Sequence, residues 1–336
     1  MTLALAGALP LIDAPSARAH IVPVSDMIRG INMTQAQCGA LPSTVWVPAM
    51  GRNFCFRYYL ATAGGEGSRP VVYFPGDKLG RFNVHTWEFA PQPPDVKDID
   101  TDDLQKNADG LSKQMKTTAI YFGRVGIDGS SGDHRVRHSV LELNATNVAM
   151  EAIKLRHRFE GFHVVGQSGG ATLIGGLLTL RTDIGCAAIG AGRLAILKPA
   201  PRFADPARNY FAAADNVALI ARQSSARIMV VTDPADKKVP ALWQTTFVQM
   251  MQQAGRPVEQ YFVQATDENR HGITPYARFV TSGCLLGAPA ADLTQRLAQF
   301  VERRLAAARD QIQNSGPSAP AGPPSAGPAP IQSVSR

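Results

Sequence analysis

Three places in this chain hold residue types suited to nucleophilic catalysis. They are the serine of Gly166-Gln167-Ser168-Gly169-Gly170, the aspartates Asp233 and Asp236 after an apolar run, and His271 in Arg270-His271-Gly272. A serine hydroxyl is a poor nucleophile until a base takes its proton, and that base needs a group to orient it. The G-x-S-x-G run lies between the apolar Phe162-His163-Val164-Val165 and the helical pattern that opens at Ala171-Thr172-Leu173-Ile174. This context reads as a nucleophile elbow, a strand that breaks into a tight turn and re-enters a helix, with the serine hydroxyl lifted above the sheet on a strained backbone. The positions two before and two after the serine approach each other there, which favours glycine at both, and they are Gly166 and Gly170. The competing reading is an ordinary Gly-rich turn of a nucleotide-binding fold. Against it, the run lacks both the G-x-G-x-x-G spacing and the P-loop lysine.

Elements able to position these residues alternate along the chain. Residues 54–61, 70–74, 118–122, 162–165, 186–189, 227–232 and 260–264 are short and rich in β-branched or aromatic side chains, as strands are. Residues 100–115 predict a helix capped by Asp100 or Thr101, with Leu104 and Leu111 on one face. Residues 139–158 predict another, with Leu141, Val148, Ala149, Ile153 and Leu155 on the buried side; 171–181, 243–253 and 293–308 complete the set. Strands alternating with helices predict an α/β fold, a mostly parallel central sheet with helices on both faces. The stretch 190–225 is the natural site for a small lid, and contains Tyr210-Phe211 and a helical 216–222.

From about residue 50 to 308 the chain resembles the α/β-hydrolase superfamily, with an esterase- or lipase-like character and some prolyl-oligopeptidase-like flavour. Gly166-Gln167-Ser168-Gly169-Gly170 matches the elbow. Val71-Val72-Tyr73-Phe74-Pro75-Gly76-Asp77 resembles the strand and turn that supply half of the oxyanion hole. Thr232-Asp233-Pro234-Ala235-Asp236-Lys237-Lys238-Val239-Pro240 resembles the acid segment, whose common form ends D-x-x-V-P, and Arg270-His271-Gly272 resembles the base loop. The resemblance implies Ser168 as nucleophile, His271 as base and Asp236 as acid, with Asp233 a turn-former before Pro234. It implies backbone donors at Gly169 and Asp77 for the oxyanion. Many relatives have His-Gly where this chain has Pro75-Gly76, and a carboxylate at Asp77 suits a developing oxyanion only if its side chain points away. His134, in the polar loop 129–134, is the competing base, disfavoured by the order Ser…Asp…His; His85, His138, His157 and His163 read as surface or satisfied core residues. Arg124 and the loop 126–133 read first as a structural Gly-rich turn held by Asp and Arg, and second as a substrate contact.

The implied activity is a serine hydrolase acting by acyl transfer, a carboxylic ester hydrolase first, a serine peptidase or amidase second, a non-catalytic binding scaffold third. No metal or organic cofactor is expected, since neither H-E-x-x-H nor a zinc spacing occurs. The partner is a small-molecule or polymeric ester. The net charge of +7 is spread without a block, so no nucleic-acid module is read and the Arg and His near 135–138 and 156–158 read as helix-surface charge. A basic surface favours acidic substrates only weakly.

Four cysteines favour bridges Cys38–Cys55 and Cys186–Cys284, although three connectivities exist and four free thiols in a cytosolic enzyme are the alternative. Residues 1–26 are expected to be an N-terminal segment with signal-peptide character, Ala17-Arg18-Ala19 resembling a cleavage site. Together these lean to a periplasmic or secreted protein, with a cytoplasmic one the alternative. A catalytic domain is expected over 27–312, then a disordered tail rich in Pro, Ala, Gly and Ser over 313–336. No membrane-spanning helix is expected.

Overall fold

Val71-Val72-Tyr73-Phe74 and Ala119-Ile120-Tyr121-Phe122 carry no charge, the pattern of strands covered on both faces. They form β4 (Val71–Phe74) and β6 (Ala119–Phe122), buried throughout. Because successive side chains point to opposite faces, Val72, Phe74, Ile120 and Phe122 enter one core while Val71, Tyr73, Ala119 and Tyr121 enter another. The computed structural model describes residues 20–83, 86–92, 96–196 and 209–314. Its other strands are β1 (Ile21–Val22), β2 (Thr44–Ala49), β3 (Arg52–Ala61), β5 (Ile99–Asp100), β7 (Phe162–Gln167), β8 (Ile184–Gly190), β9 (Arg227–Thr232) and β10 (Glu259–Phe262).

Eight strands form one sheet in the order β10-β9-β8-β7-β4-β6-β3-β2, while β1 and β5 pair separately. From β10 through β6 every neighbouring pair is parallel; β3 is antiparallel to β6, and β2 to β3. The helices are α1 (Val24–Arg29), α2 (Gln35–Gly39), α3 (Thr101–Met115), α4 (Val140–His157), α5 (Gly169–Leu177), α6 (Val217–Gln223), α7 (Ala241–Gln253), α8 (Thr274–Leu285) and α9 (Ala290–Asn314). Helices α4 to α7 cover one face through Leu143, Leu173, Ile220 and Phe247. Helices α3, α8 and α9 cover the other through Leu104, Tyr276 and Leu293. The expected α/β class, with helices on both faces of a mostly parallel sheet, is therefore the observed one. The chain leaves β4 for β6 on one side and returns as β7 on the other, so the strand order reverses at β4. Such a reversal opens a crevice at the carboxyl ends of the strands, where open α/β sheets bind ligands.

The helices differ from expectation in detail. The helix after the serine begins at Gly169, two residues early, and ends at Leu177 rather than 181. On α4 the buried side is Leu143, Ala145, Ala149, Met150 and Ile153, whereas Leu155 is 71% exposed. Its buried stripe also includes Glu142 and Thr146, and these polar positions hide the true phase of the helix. Strand β2 was not anticipated; its Pro48 is exposed on the sheet edge, where a missing N–H is tolerated.

Cys38–Cys55 ties α2 to β3, and Cys186–Cys284 ties β8 to α8, the expected pairing. Most of the expected segments 1–26 and 313–336 lies outside the described residues, as do His85 and 197–208 of the expected lid. Among the described residues, no helix is long and apolar enough to cross a membrane.

Candidate active site

Ser168 follows β7 directly and precedes α5, with φ +53° and ψ −115°. A side-chain-bearing residue reaches this left-handed region only when its surroundings over-determine it. Ser168 N–H donates to the Gly190 carbonyl at 2.8 Å, and Thr172 N–H donates to the Ser168 carbonyl at 2.9 Å, so both ends of the turn are held. The turn requires its glycines. A Cβ on Gly166 would lie 2.8 Å from the Gly170 carbonyl carbon, and one on Gly170 would lie 2.1 Å from the Phe74 oxygen. Both contacts are closer than any Cβ tolerates, and they bring the end of β4 against the serine turn.

The loops after β9 and β10 bring Asp236 and His271 together. His271 Nδ1 lies 2.7 Å from Asp236 Oδ2; the Asp236 side chain is fully buried and that of His271 12% exposed. The other Asp236 oxygen accepts the Lys238 and Val239 N–H groups at 2.7 and 3.0 Å. Asp233 does different work. Its buried carboxylate accepts two bonds from the Arg270 guanidinium, at 2.7 and 2.9 Å, and the N–H groups of Ala235 and Ala265. Asp236 thus orients the imidazole, while Asp233 fixes the residue before it.

Two neighbours of the His271 loop were not singled out from the sequence. Asp267 accepts the backbone N–H groups of His271 and Gly272 at 3.1 and 2.6 Å. Gln167, immediately before the serine, donates to the His271 carbonyl and accepts from Thr274 Oγ1 at 3.2 Å. The Ser168 turn and the His271 loop are thereby joined directly. Only the position of Gln167 inside the serine motif hinted at this.

The loop after β4 supplies the third wall. A Cβ on Gly76 would lie 3.4 Å from Ser168 Cβ, so this backbone passes beside the serine. The Asp77 carboxylate accepts from Arg124 at 2.8 Å, lies 3.3 Å from Arg137 Nε and 3.2 Å from His138 Nε2, and packs against Gly169. Burial alone would raise this carboxyl, but His138, Arg124 and Arg137 outweigh it and hold it well below the usual range. Arg124 is itself fully buried and forked onto Glu142 at 2.9 and 3.1 Å.

This cluster corrects the reading of 135–138 as helix-surface charge: Arg137 and His138 are buried, because the Asp77 and Glu142 carboxylates compensate them. Burial pushes His138 below the ordinary imidazole range, against the pull of Asp77, and its Nδ1 accepts from Arg193 at 3.1 Å. His134 is buried beside the same cluster, with Nδ1 3.0 Å from the Val125 carbonyl, and burial followed by Arg137 and Arg124 depresses it strongly. Ser130 bridges the backbones of Gly123 and Arg57, and the Asp128 side chain is fully buried; the loop after Arg124 is a structural turn at these points.

Ser168, His271, Gly76, Asp77 and Gln167 all line one cavity of about 920 Å³. Arg193 and Tyr210, from the stretch expected to be a lid, line it too. Much of the wall instead comes from the segment after β4, including Leu79, Phe82, Ala90 and Val96. There Phe82 pairs with Phe89 across an antiparallel bridge, and Arg137 lies 4.8 Å above the Phe82 ring. Among the described residues, no group of three His, Cys, Asp or Glu side chains is placed to hold a metal ion.

No protein-family model and no curated protein sequence matches the chain. Among solved structures it is similar to the Pyrococcus furiosus esterase Pf2001, at 13% identity over 79% of this chain and 96% of that one, with TM-score 0.49. It is similar to the Pyrococcus horikoshii acylaminoacyl peptidase at 12% identity and TM-score 0.48, covering 73% of this chain but only 40% of the peptidase. It is also similar to a Mycobacterium smegmatis proline iminopeptidase, at 13% identity over 73% of this chain and 98% of that one, with TM-score 0.45. What defines the fold is the connectivity itself: eight strands reversing at β4, two antiparallel strands at one edge, and a strained serine turn where β7 meets α5. That is the α/β-hydrolase fold, and it is the fold of this chain.

Proposed function

We propose that the protein is a serine hydrolase working by acyl transfer, with a carboxylic ester as substrate. The observation that carries this is the 2.7 Å contact between His271 Nδ1 and the buried Asp236, at the wall of the cavity that Ser168 also lines. With Nδ1–H donated to Asp236, the other imidazole nitrogen keeps its lone pair. Ser168 Oγ attacks the ester carbonyl carbon as His271 takes its proton, and the backbone N–H groups of Gly169 and Asp77 receive the developing oxyanion. His271 then protonates the departing alcohol. Water, deprotonated by the same imidazole, releases the acid and restores the serine. The Asp77 carboxylate is neutralised by Arg124 and Arg137, which removes its repulsion from an oxyanion. We read the protein as exported, periplasmic or secreted; its two disulfides are compatible with an oxidising compartment.

The test is hydrolysis of p-nitrophenyl esters from acetyl to long acyl chains. The wild type is expected to turn over the short members, and Ser168→Ala to lower kcat by at least about 10³-fold. Activity surviving the substitution would refute the assignment. Cleavage of peptide anilides with no ester hydrolysis would replace the alcohol by an amine as leaving group.

A further inference from the structure

Charge around the cavity is unevenly signed. Lys78, Arg81, Arg137, Arg193, Lys237 and Lys238 line it, against the carboxylates of Asp77 and Asp267. Both carboxylates are committed internally, Asp77 to Arg124, Arg137 and His138, and Asp267 to the backbone N–H groups of His271 and Gly272. Lys78 lies 3.8 Å from the buried Asp128. Arg81, Lys237 and Lys238 have no carboxylate within 4.0 Å among the described residues. Their placement is not random with respect to the chemistry. Arg81 follows the loop that passes Ser168, and Lys237 and Lys238 follow Asp236 directly. Lys237 N–H donates to the Asn269 carbonyl at 2.9 Å, so the lysines ride on the paired loops that hold Asp236 and His271.

A cleft whose charged lining is mainly of one sign, with apolar walls such as Leu79, Phe82 and Val239, concentrates substrate of the opposite sign. We infer that the site takes esters carrying a second, ionised acid group, drawn in at the mouth by Arg81, Lys237 and Lys238; this rests on the serine hydrolase reading.

Two matched pairs test it. Mono-p-nitrophenyl glutarate against p-nitrophenyl methyl glutarate places the charge on the acyl side. 4-Acetoxybenzoate against its methyl ester places it on the leaving group. In at least one pair the anionic member is expected to have about tenfold higher kcat/KM at low ionic strength. The advantage should shrink toward parity in 0.5 M NaCl, where the screening length falls to about 4 Å. The variant Arg81→Gln/Lys237→Gln/Lys238→Gln should lose it, and each single substitution should remove part of it. All three residues are exposed, and a circular dichroism melt checks that the variant is folded. Equal rates or a neutral preference in both pairs would overturn the inference while leaving the hydrolase reading intact, as would a preference that survives the triple substitution. Rates unaffected by Ser168→Ala would overturn both.

Discussion

Asp233 and Asp236 lie three residues apart on one loop and make opposite predictions. Among the described residues, the Asp236 carboxylate hydrogen-bonds only to the imidazole and to N–H groups of its own loop, which an asparagine oxygen can still accept, so Asp236→Asn should leave stability nearly unchanged. It should lower kcat by about 10³–10⁴-fold, because the amide no longer holds the correct imidazole tautomer. Asp233 is buried and carries Arg270 together with two backbone N–H groups. Asp233→Asn should therefore destabilise by about 1–3 kcal/mol, with a smaller effect on kcat in the fraction that remains folded. Urea unfolding alongside steady-state kinetics separates the two, and a pair of variants with interchanged effects would reverse the assignment. The D-x-x-V-P spacing already favoured Asp236, and chain order favoured His271. Arg137 and His138 were illegible at this scale: a buried charge looks like a surface charge until its partner is known, and the Asp77 carboxylate lies about sixty residues away in the chain.

Strands were legible where both faces are covered, because the apolar run is then nearly unbroken. Helix phase on α4 was not, since Glu142 and Thr146 interrupt the apolar stripe, and the segment after β4 has no period that would mark it as a cavity wall. One strand-level irregularity has a pH consequence. The register between β7 and β8 shifts between Phe162 and Val164. There His163 Nδ1 accepts the Cys186 N–H at 3.1 Å, and burial followed by the charge of Arg69 pushes His163 from 6.5 down to about 4. A protonated Nδ1 cannot accept that bond. The unfolded chain binds the proton first as pH falls, so the stability contribution is complete above pH 6.5 and is lost on descending toward pH 4. Burial depresses the buried His134 and His138 in the same direction. Denaturant midpoints should thus fall between pH 7 and pH 4.5, and His163→Gln should flatten the slope. An unchanged slope would mean that His163 is not protonated preferentially in the unfolded state.

At the scale of the whole molecule the two disulfides differ in what they constrain. Cys38–Cys55 spans 17 residues at the edge of the sheet, whereas Cys186–Cys284 spans 98 and joins the central β8 to α8. Closing the longer loop removes more freedom from the unfolded chain, about 4.7 kcal/mol for a 100-residue loop against about 3 kcal/mol for a 15-residue one, less any native strain. Yet the longer bridge leaves from the early part of β8 and the last turn of α8. The site lies at the opposite ends of both elements, where Gly190 accepts from Ser168 and Ile273 follows the His271 loop. Tyr276, Ala277 and Val280 of α8 are themselves buried in the core on that face of the sheet, so packing as well as the bridge holds the helix. The double variant Cys186→Ser/Cys284→Ser should therefore lose about 2–4 kcal/mol of stability, more than Cys38→Ser/Cys55→Ser, while its kcat/KM at 25 °C stays at the wild-type value. Urea unfolding of both variants, each against the oxidised wild type, reads the stability order directly. If instead the longer bridge's loss lowers kcat in fully folded protein, α8 is held in place by the bridge rather than by its packing, and the base loop depends on it.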